Sequence, residues 1–163
     1  MLLLKVINKR TGYQLTKYCP TSLYGNNDLE HTLVLKQDSF LLVLDDVWAE
    51  FDCQTLNIIH FKKVDIFGTI FAIYPYHDDY IMYGELSILR VNPYLDVVWE
   101  VGGRDIFVRK DNGVSFRFTQ TKICVCDWMN CYYEWDCQGN LLTERVNCTD
   151  KELDCLLELS ADL

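Results

Sequence analysis

Two stretches of this chain repeat each other. EFDCQ at residues 50–54 recurs as EWDCQ at 134–138, an offset of 84, with four of five positions identical and one aromatic exchanged for another. The likeness runs back from VLDDVWAEFDCQ (43–54) to VCDWMNCYYEWDCQ (125–138), the second copy being two residues longer at its turn. Each copy alternates apolar and polar residues around a turn, the pattern of a β-hairpin. A chain that repeats a hairpin is constrained to a β architecture made of duplicated or propeller-like units. The alternative is chance likeness between two hairpins, which draw on a narrow set of residues.

The rest of the sequence agrees with that class. Apolar and β-branched runs at short spacing predict strands near 2–8, 32–37, 40–52, 56–62, 66–74, 80–91, 97–101, 105–109, 114–119, 122–128, 131–136 and 141–146. Asp111-Asn112-Gly113 and Gln138-Gly139-Asn140 supply turns that tolerate positive φ, and Asn92-Pro93 closes another strand because proline donates no ladder hydrogen bond. Residues 18–30 lack periodicity and read as a loop, the most mobile element expected. Thr149 and Glu152 have capping-box spacing, with Leu153, Leu156 and Leu157 on one face, which predicts a helix over 150–160. The expected fold is mainly β: an antiparallel meander of hairpins, as a sandwich, open barrel or partial propeller, with one short C-terminal α-helix.

At 163 residues the chain has single-domain size, 1–163, enough to bury about two-thirds of its unfolded surface. An apolar fraction of 50% and a charged fraction of 24% suit a globular chain and exclude a disordered one. MLLLKVINKR is interrupted at Lys5, too early for a signal peptide, and no run approaches the roughly 20 apolar residues of a membrane helix. A cytoplasmic location is therefore expected, with the eight cysteines as free thiols and the sequon at Asn147 unused. Net charge is −9; residues 1–44 carry +2 and 45–163 carry −11. That field disfavours nucleic acid and anionic membrane and favours a basic protein partner, although acidity also serves solubility alone.

Alternation across a strand sorts the repeat into two faces. Ala49, Phe51 and Cys53, with Tyr133, Trp135 and Cys137, are predicted to face the core. Trp48, Glu50 and Asp52, with Tyr132, Glu134 and Asp136, fall on the other face, and a two-residue turn at Met129-Asn130 would add Asp127 beside Tyr132 and set Cys126 opposite Tyr133. These seven residues, Trp48, Glu50, Asp52, Asp127, Tyr132, Glu134 and Asp136, are the predicted partner-binding face, joining aromatic anchors to negative charge. The prediction needs both repeats in one sheet. Its alternative is a pair of separate solvated hairpin faces.

Motifs for chemistry are weak. Cys124, Cys126, Cys131 and Cys137 sit within strand patterns and lack the knuckle spacing of a structural zinc site, so no metal or cofactor is expected. Cys53 and His60 are more simply structural than a nucleophile and base, and Asp78-Asp79 reads as a hairpin tip. Asp45-Asp46 is a second carboxylate pair, of a kind that could serve acid–base or metal chemistry. Gly102-Gly103 forms no phosphate-binding fingerprint, and Arg104-Asp105 reads as a structural ion pair.

Between Leu86 and Leu142 the stretches SILRVNPYLDVVWEVGGRDIFV and ICVCDWMNCYYEWDCQGNLL, through Trp99, Arg104-Asp105-Ile106-Phe107 and Asp127-Trp128, resemble small bacterial β-rich proteins of the toxin-immunity type. That resemblance implies a binding role without catalysis. The expectation is a non-catalytic binding protein, an immunity or inhibitor protein that covers a basic toxin or enzyme with an acidic sheet face. Two other readings stand beside it: a small-molecule or carbohydrate-binding β domain, or hydrolase, using Glu50 and Glu134, and a structural subunit that self-associates through a sheet edge.

Overall fold

A computed structural model describes residues 2–7, 12, 14–19, 31–44, 47–63 and 68–159. These residues form a mainly β, antiparallel fold with one short C-terminal helix. β1 (Leu2–Ile7) and β2 (Gln14–Cys19) make a two-stranded ribbon. Three four-stranded sheets follow in chain order. The first holds β3 (Leu33–Leu35), β4 (Ser39–Leu44), β5 (Val47–Asp52) and β6 (Ile58–Lys63); the second, β7 (Ile70–Tyr76), β8 (Asp79–Gly84), β9 (Ser87–Val91) and β10 (Val97–Gly102). β11 (Phe116–Phe118), β12 (Lys122–Cys126), β13 (Tyr132–Asp136) and β14 (Leu141–Arg145) make the third, before α1 (Asp150–Leu159). Contacts cluster into two compact units, 1–73 and 74–163, with the boundary inside β7.

The repeat seen in the sequence is the junction of the third and fourth strands, and it occurs three times. Asp52 Oδ1 accepts the Gln54 and Thr55 amides; Asn92 Oδ1 accepts those of Tyr94 and Asp96; Asp136 Oδ1 accepts those of Gln138 and Asn140. Each turn closes through one left-handed residue, Leu56 (φ 55), Leu95 (φ 67) or Gly139 (φ 84). The offset of 84 therefore spans two sheets, with Asn92 40 residues after Asp52 and 44 before Asp136. The middle copy, VNPYLD, keeps the turn's hydrogen bonds through asparagine but shares none of the DCQ letters.

A diagonal pair recurs as well. Glu50 of β5 receives Ser39 and, at 3.0 Å, Lys36; Arg90 of β9 pairs with Asp79 at 2.7 Å; Glu134 of β13 pairs with Lys122 at 2.9 Å. Ser39, Asp79 and Lys122 each open the second strand of their sheet. Glu50, Arg90 and Glu134 each stand two residues before the turn's Asx.

Burial in these sheets is graded by strand position more than by face. The interior strands β5, β8, β9 and β12 are buried almost throughout, whereas β6, β10 and β14 at the sheet edge are exposed on both faces. The predicted core residues Ala49, Phe51, Tyr133, Trp135 and Cys137 are buried, with Cys53 half-buried. Phe51 stacks on Phe40 (5.2 Å between centroids), and Trp135 stacks on Tyr133 (5.2 Å) with Phe107 edge-on to both.

Several segments depart from expectation. The predicted strand 40–52 is two strands, β4 and β5, meeting at Asp45-Asp46, which lie outside the described residues; 80–91 is likewise divided, into β8 and β9 at Glu85-Leu86. Residues 105–109 form no strand, because Phe107 donates its amide to Glu85 O and Trp128 reaches Ile106 O, which fixes this stretch as a wedge. Tyr18 and Cys19 belong to β2, and 20–30 lie outside the described residues. The helix forms as predicted, with Thr149 and Glu152 exchanging capping-box hydrogen bonds.

Gly139 occupies the position that Leu56 and Leu95 fill in the other repeats, so leucine looks like the natural replacement. A Cβ there would stand 3.0 Å from the Trp99 ring, in a left-handed backbone. Gly139→Leu is expected to cost about 2–4 kcal/mol in urea unfolding, from left-handed strain plus overpacking.

Candidate interaction site

The seven residues predicted as a partner-binding face do not form one. Trp48, Glu50 and Asp52 lie in the first sheet and Asp127, Tyr132, Glu134 and Asp136 belong to the third sheet and its β12–β13 turn, so the required single sheet does not exist. Trp48, Asp127 and Tyr132 are 0%, 0% and 2% exposed, and Glu50 is 8% exposed. The physical reason is that β5 and β13 are covered on both faces, so those faces do not divide into a dry side and a wet one. The carboxylates are also committed: Glu50 and Glu134 to the diagonal pairs, Asp52 and Asp136 to their turns.

Hydrogen bonds explain the electrostatics of these groups. Burial raises Glu50, but Ser39 and Lys36 outweigh it and hold the carboxyl below its usual range. Asp52 is lowered by Thr55, Asp136 by Asn140, Asp111 by Arg109, and Glu152 by Thr149. A carboxyl lowered on folding contributes stability above its unfolded value, 4.5 for Glu and 3.8 for Asp, and loses it as pH falls through the lower folded value. The urea midpoint is therefore expected to hold steady from neutrality to about pH 5 and to fall steadily below it.

Asp127 is the predicted site residue whose surroundings point elsewhere. The β12–β13 connection is longer than the expected two-residue turn: Cys126 pairs with Tyr132 and Cys124 with Glu134, one register step from the anticipated Tyr133 and Trp135. That slip moves the thiols to the opposite face from the aromatic stack. Asp127 causes it. Its Oδ1 accepts the Met129 and Cys131 amides, each at 2.9 Å, and its Oδ2 accepts the Tyr133 hydroxyl at 2.8 Å. Asn130 closes the turn at φ 56.

This internal brace holds two apolar residues outward. Trp128 is 40% and Met129 53% exposed. Trp128 donates its amide to Ile106 O at 2.8 Å, Lys110 Nζ lies 5.8 Å from the indole centroid, and Asn130 donates to Cys148 O and Asp150. The Tyr133 hydroxyl in turn accepts the Arg104 amide at 3.0 Å. Arg104 pairs with Glu144, not with Asp105, whose Oδ1 accepts the Ile106 amide. The tip thus rests on the wedge 104–107, on α1's start and on a fully buried carboxylate. The predicted face sets Asp127 at the surface, whereas the structure buries it; Trp-Met directly after an Asp at a hairpin turn is the sequence signal for the tip.

Other candidates have less to offer. Exposed apolar pairs open each outer strand, Ile58-Ile59, Val97-Val98 and Leu141-Leu142, each residue about half exposed as suits an outer strand. A cavity of about 60 Å³ lined by Val114, Arg117, Asp154, Leu157 and Glu158 is far smaller than the roughly 300 Å³ of a small-molecule pocket. Burial raises the thiols of Cys53, Cys131, Cys137 and Cys148 and pushes Cys126 up to about 12, away from the thiolate a nucleophile needs. Asp79 is not a free hairpin-tip charge, since Arg90 neutralises it. Among the described residues no helix is long and apolar enough to cross a membrane.

No protein-family model matches the sequence, and no curated protein matches it. Solved structures do match by fold. Raptor from Chaetomium thermophilum aligns with a TM-score of 0.56 at 13% identity, over 72% of this chain and 12% of that one. BamB from Moraxella catarrhalis aligns with a TM-score of 0.56 at 13% identity, over 89% of this chain and 44% of that one. The Neurospora crassa Pan2 WD40 domain aligns at 0.52 with 12% identity, over 74% of this chain and 40% of that one. The chain thus spans less than half the length of each, and at these identities the likeness is one of fold, a propeller-like succession of four-stranded sheets.

Proposed function

We propose that the chain is a non-catalytic protein-binding module whose partner is a basic protein, a toxin or enzyme whose surface it covers. The observation that carries the reading is the Trp128-Met129 tip: a large aromatic and a soft thioether held half exposed by a buried carboxylate. Exposed tryptophan pre-ordered by packing is what a binding hot spot requires, since little side-chain entropy is lost on contact. Charge supports the sign of the partner. Residues 74–163 carry eight Lys/Arg and sixteen Asp/Glu, so this unit holds −8 of the chain's −9.

Catalysis by Glu50 and Glu134 is disfavoured by the same geometry. A general acid needs a raised carboxyl, and Glu50 is lowered; the two residues also belong to different compact units. The test is capture from source cells with the immobilised full chain, at low and high salt, beside its Trp128→Ala variant. A basic protein retained by the wild type, lost with Trp128→Ala and weakened by salt supports the proposal. Capture of an acidic protein, or retention indifferent to both salt and Trp128, sinks it.

A further inference from the structure

We infer that α1 caps the third sheet, covering the face opposite the one that meets the second sheet and preventing a second copy of this chain from packing there. The third sheet carries an apolar patch on each face, the second of them beside the Lys122–Glu134 pair. One carries Phe116, Tyr133 and Trp135 and meets the aromatic side chains of the sheet before it, Tyr83 stacking on Phe116 at 4.4 Å and Tyr74 lying 5.2 Å from the same ring. The opposite face carries Cys124, Cys126 and Tyr132, and there a helix takes the place of a further sheet. Leu153 and Leu157 of α1 are 0% and 2% exposed and cluster with those three residues, with Cys148 and Leu156 at the margin. Repeat folds whose last face is left apolar continue to add units, and a terminal element with a polar outer surface stops them.

α1 has that polar surface and a latch. Asp150, Glu152, Asp154 and Glu158 are exposed, so a second copy approaching this end meets like charge. The latch is Arg109, 1% exposed, which pairs with Asp111 beside it in the loop and with Asp154 of α1 at 2.6 Å. Arg109 also donates to the carbonyls of Asp150 and Val114, so one guanidinium joins the loop before β11 to the first turns of the helix. Burial works against its charge, but the two aspartates hold it firmly cationic.

The experiment keeps the chain at full length. In the double variant Leu153→Asp with Leu157→Asp, buried carboxylates eject α1. Two readouts follow: alkylation of each cysteine under native conditions, read by peptide mass spectrometry, and mass by sedimentation velocity over a range of concentration. In the wild type, exposed Cys155 labels while Cys126 stays protected. The double variant is expected to label at Cys126 and to form concentration-dependent larger species. Labelling at Cys126 without any gain in mass overturns the cap, and so does continued protection of Cys126, because the leucines would then not seat the helix. If the double variant loses its far-UV β signature, Asp154→Asn supplies the test: Cys126 labelling should quicken by roughly fivefold, the upper range for a half-exposed ion pair, with a matching rise in self-association. Labelling and mass both equal to wild type in Asp154→Asn would overturn the inference.

Discussion

Asp127→Ala is expected to lower unfolding stability by about 3–5 kcal/mol, the sum of several donors losing their acceptor at about 1–3 kcal/mol each where buried. The substitution leaves the Met129 and Cys131 amides and the Tyr133 hydroxyl without their acceptor, and Tyr133 is itself 3% exposed. Tyr133→Phe removes one of those bonds together with the acceptor of the Arg104 amide and should cost about 1–3 kcal/mol. The hierarchy matters more than either number. If Asp127 were an exposed partner-binding carboxylate, its alanine variant would unfold within about 0.5 kcal/mol of wild type, as surface substitutions do. Urea unfolding of the three proteins separates the cases.

Phe51→Ala and Trp135→Ala, the aromatic position of the two recognisable repeats, are each expected to cost about 3–5 kcal/mol, as large-to-small changes in a packed core do. Phe51 is 1% exposed within a cluster of Phe40, Leu42, Ala49 and Leu56; Trp135 is 3% exposed between Tyr133 and Phe107. The neighbouring repeat residues Asp52 and Asp136 accept backbone amides in solvent-reaching turns, so their alanine variants should lose far less. Thermal and urea unfolding should rank the aromatics well above the caps. Equal losses at both positions would mean that the repeat is held by its turns and not by its core.

Much of this fold is legible in the letters, and the reason is turn chemistry. Asp-Cys-Gln and Gln-Gly-Asn mark the junctions before β6 and β14, and Thr149 with Glu152 marks the helix, because Asx and capping side chains bond locally to backbone amides whatever surrounds them. The middle repeat stayed hidden because asparagine and proline do the same work in VNPYLD with different residues. The predicted face departs from the structure for a different reason. Alternation predicts one wet face only when a sheet has solvent on one side, and β5 and β13 have both faces covered. Glu50 and Glu134 look like surface acids in the sequence, yet Lys36 comes to Glu50 from the β3–β4 turn and Lys122 to Glu134 from the start of β12, cross-strand approaches that linear spacing does not display.

The register of β12 and β13 shows how one side chain decides a local fold. A two-residue turn at Met129-Asn130 would have placed Cys126 against Tyr133; Asp127, by accepting two amides of its own turn, lengthens the connection and sends the thiols to α1's side. The same bonds push Trp128 and Met129 outward. Stability and the proposed binding surface thus share one buried carboxylate.

The most direct measurement is the association of the captured basic partner with three full-length proteins, by surface kinetics at moderate salt: wild type, Trp128→Ala, and the charge exchange Lys122→Glu with Glu134→Lys. The exchange reverses one diagonal pair at constant net charge; Trp128→Ala removes the tip and leaves Asp127's bonds in place. Trp128→Ala is expected to weaken binding at least about tenfold, the effect of losing a hot-spot side chain, chiefly by faster dissociation, while the exchange binds as wild type does. Wild-type binding by Trp128→Ala together with lost binding by the exchange would contradict a binding tip and return the site to the acidic strand face.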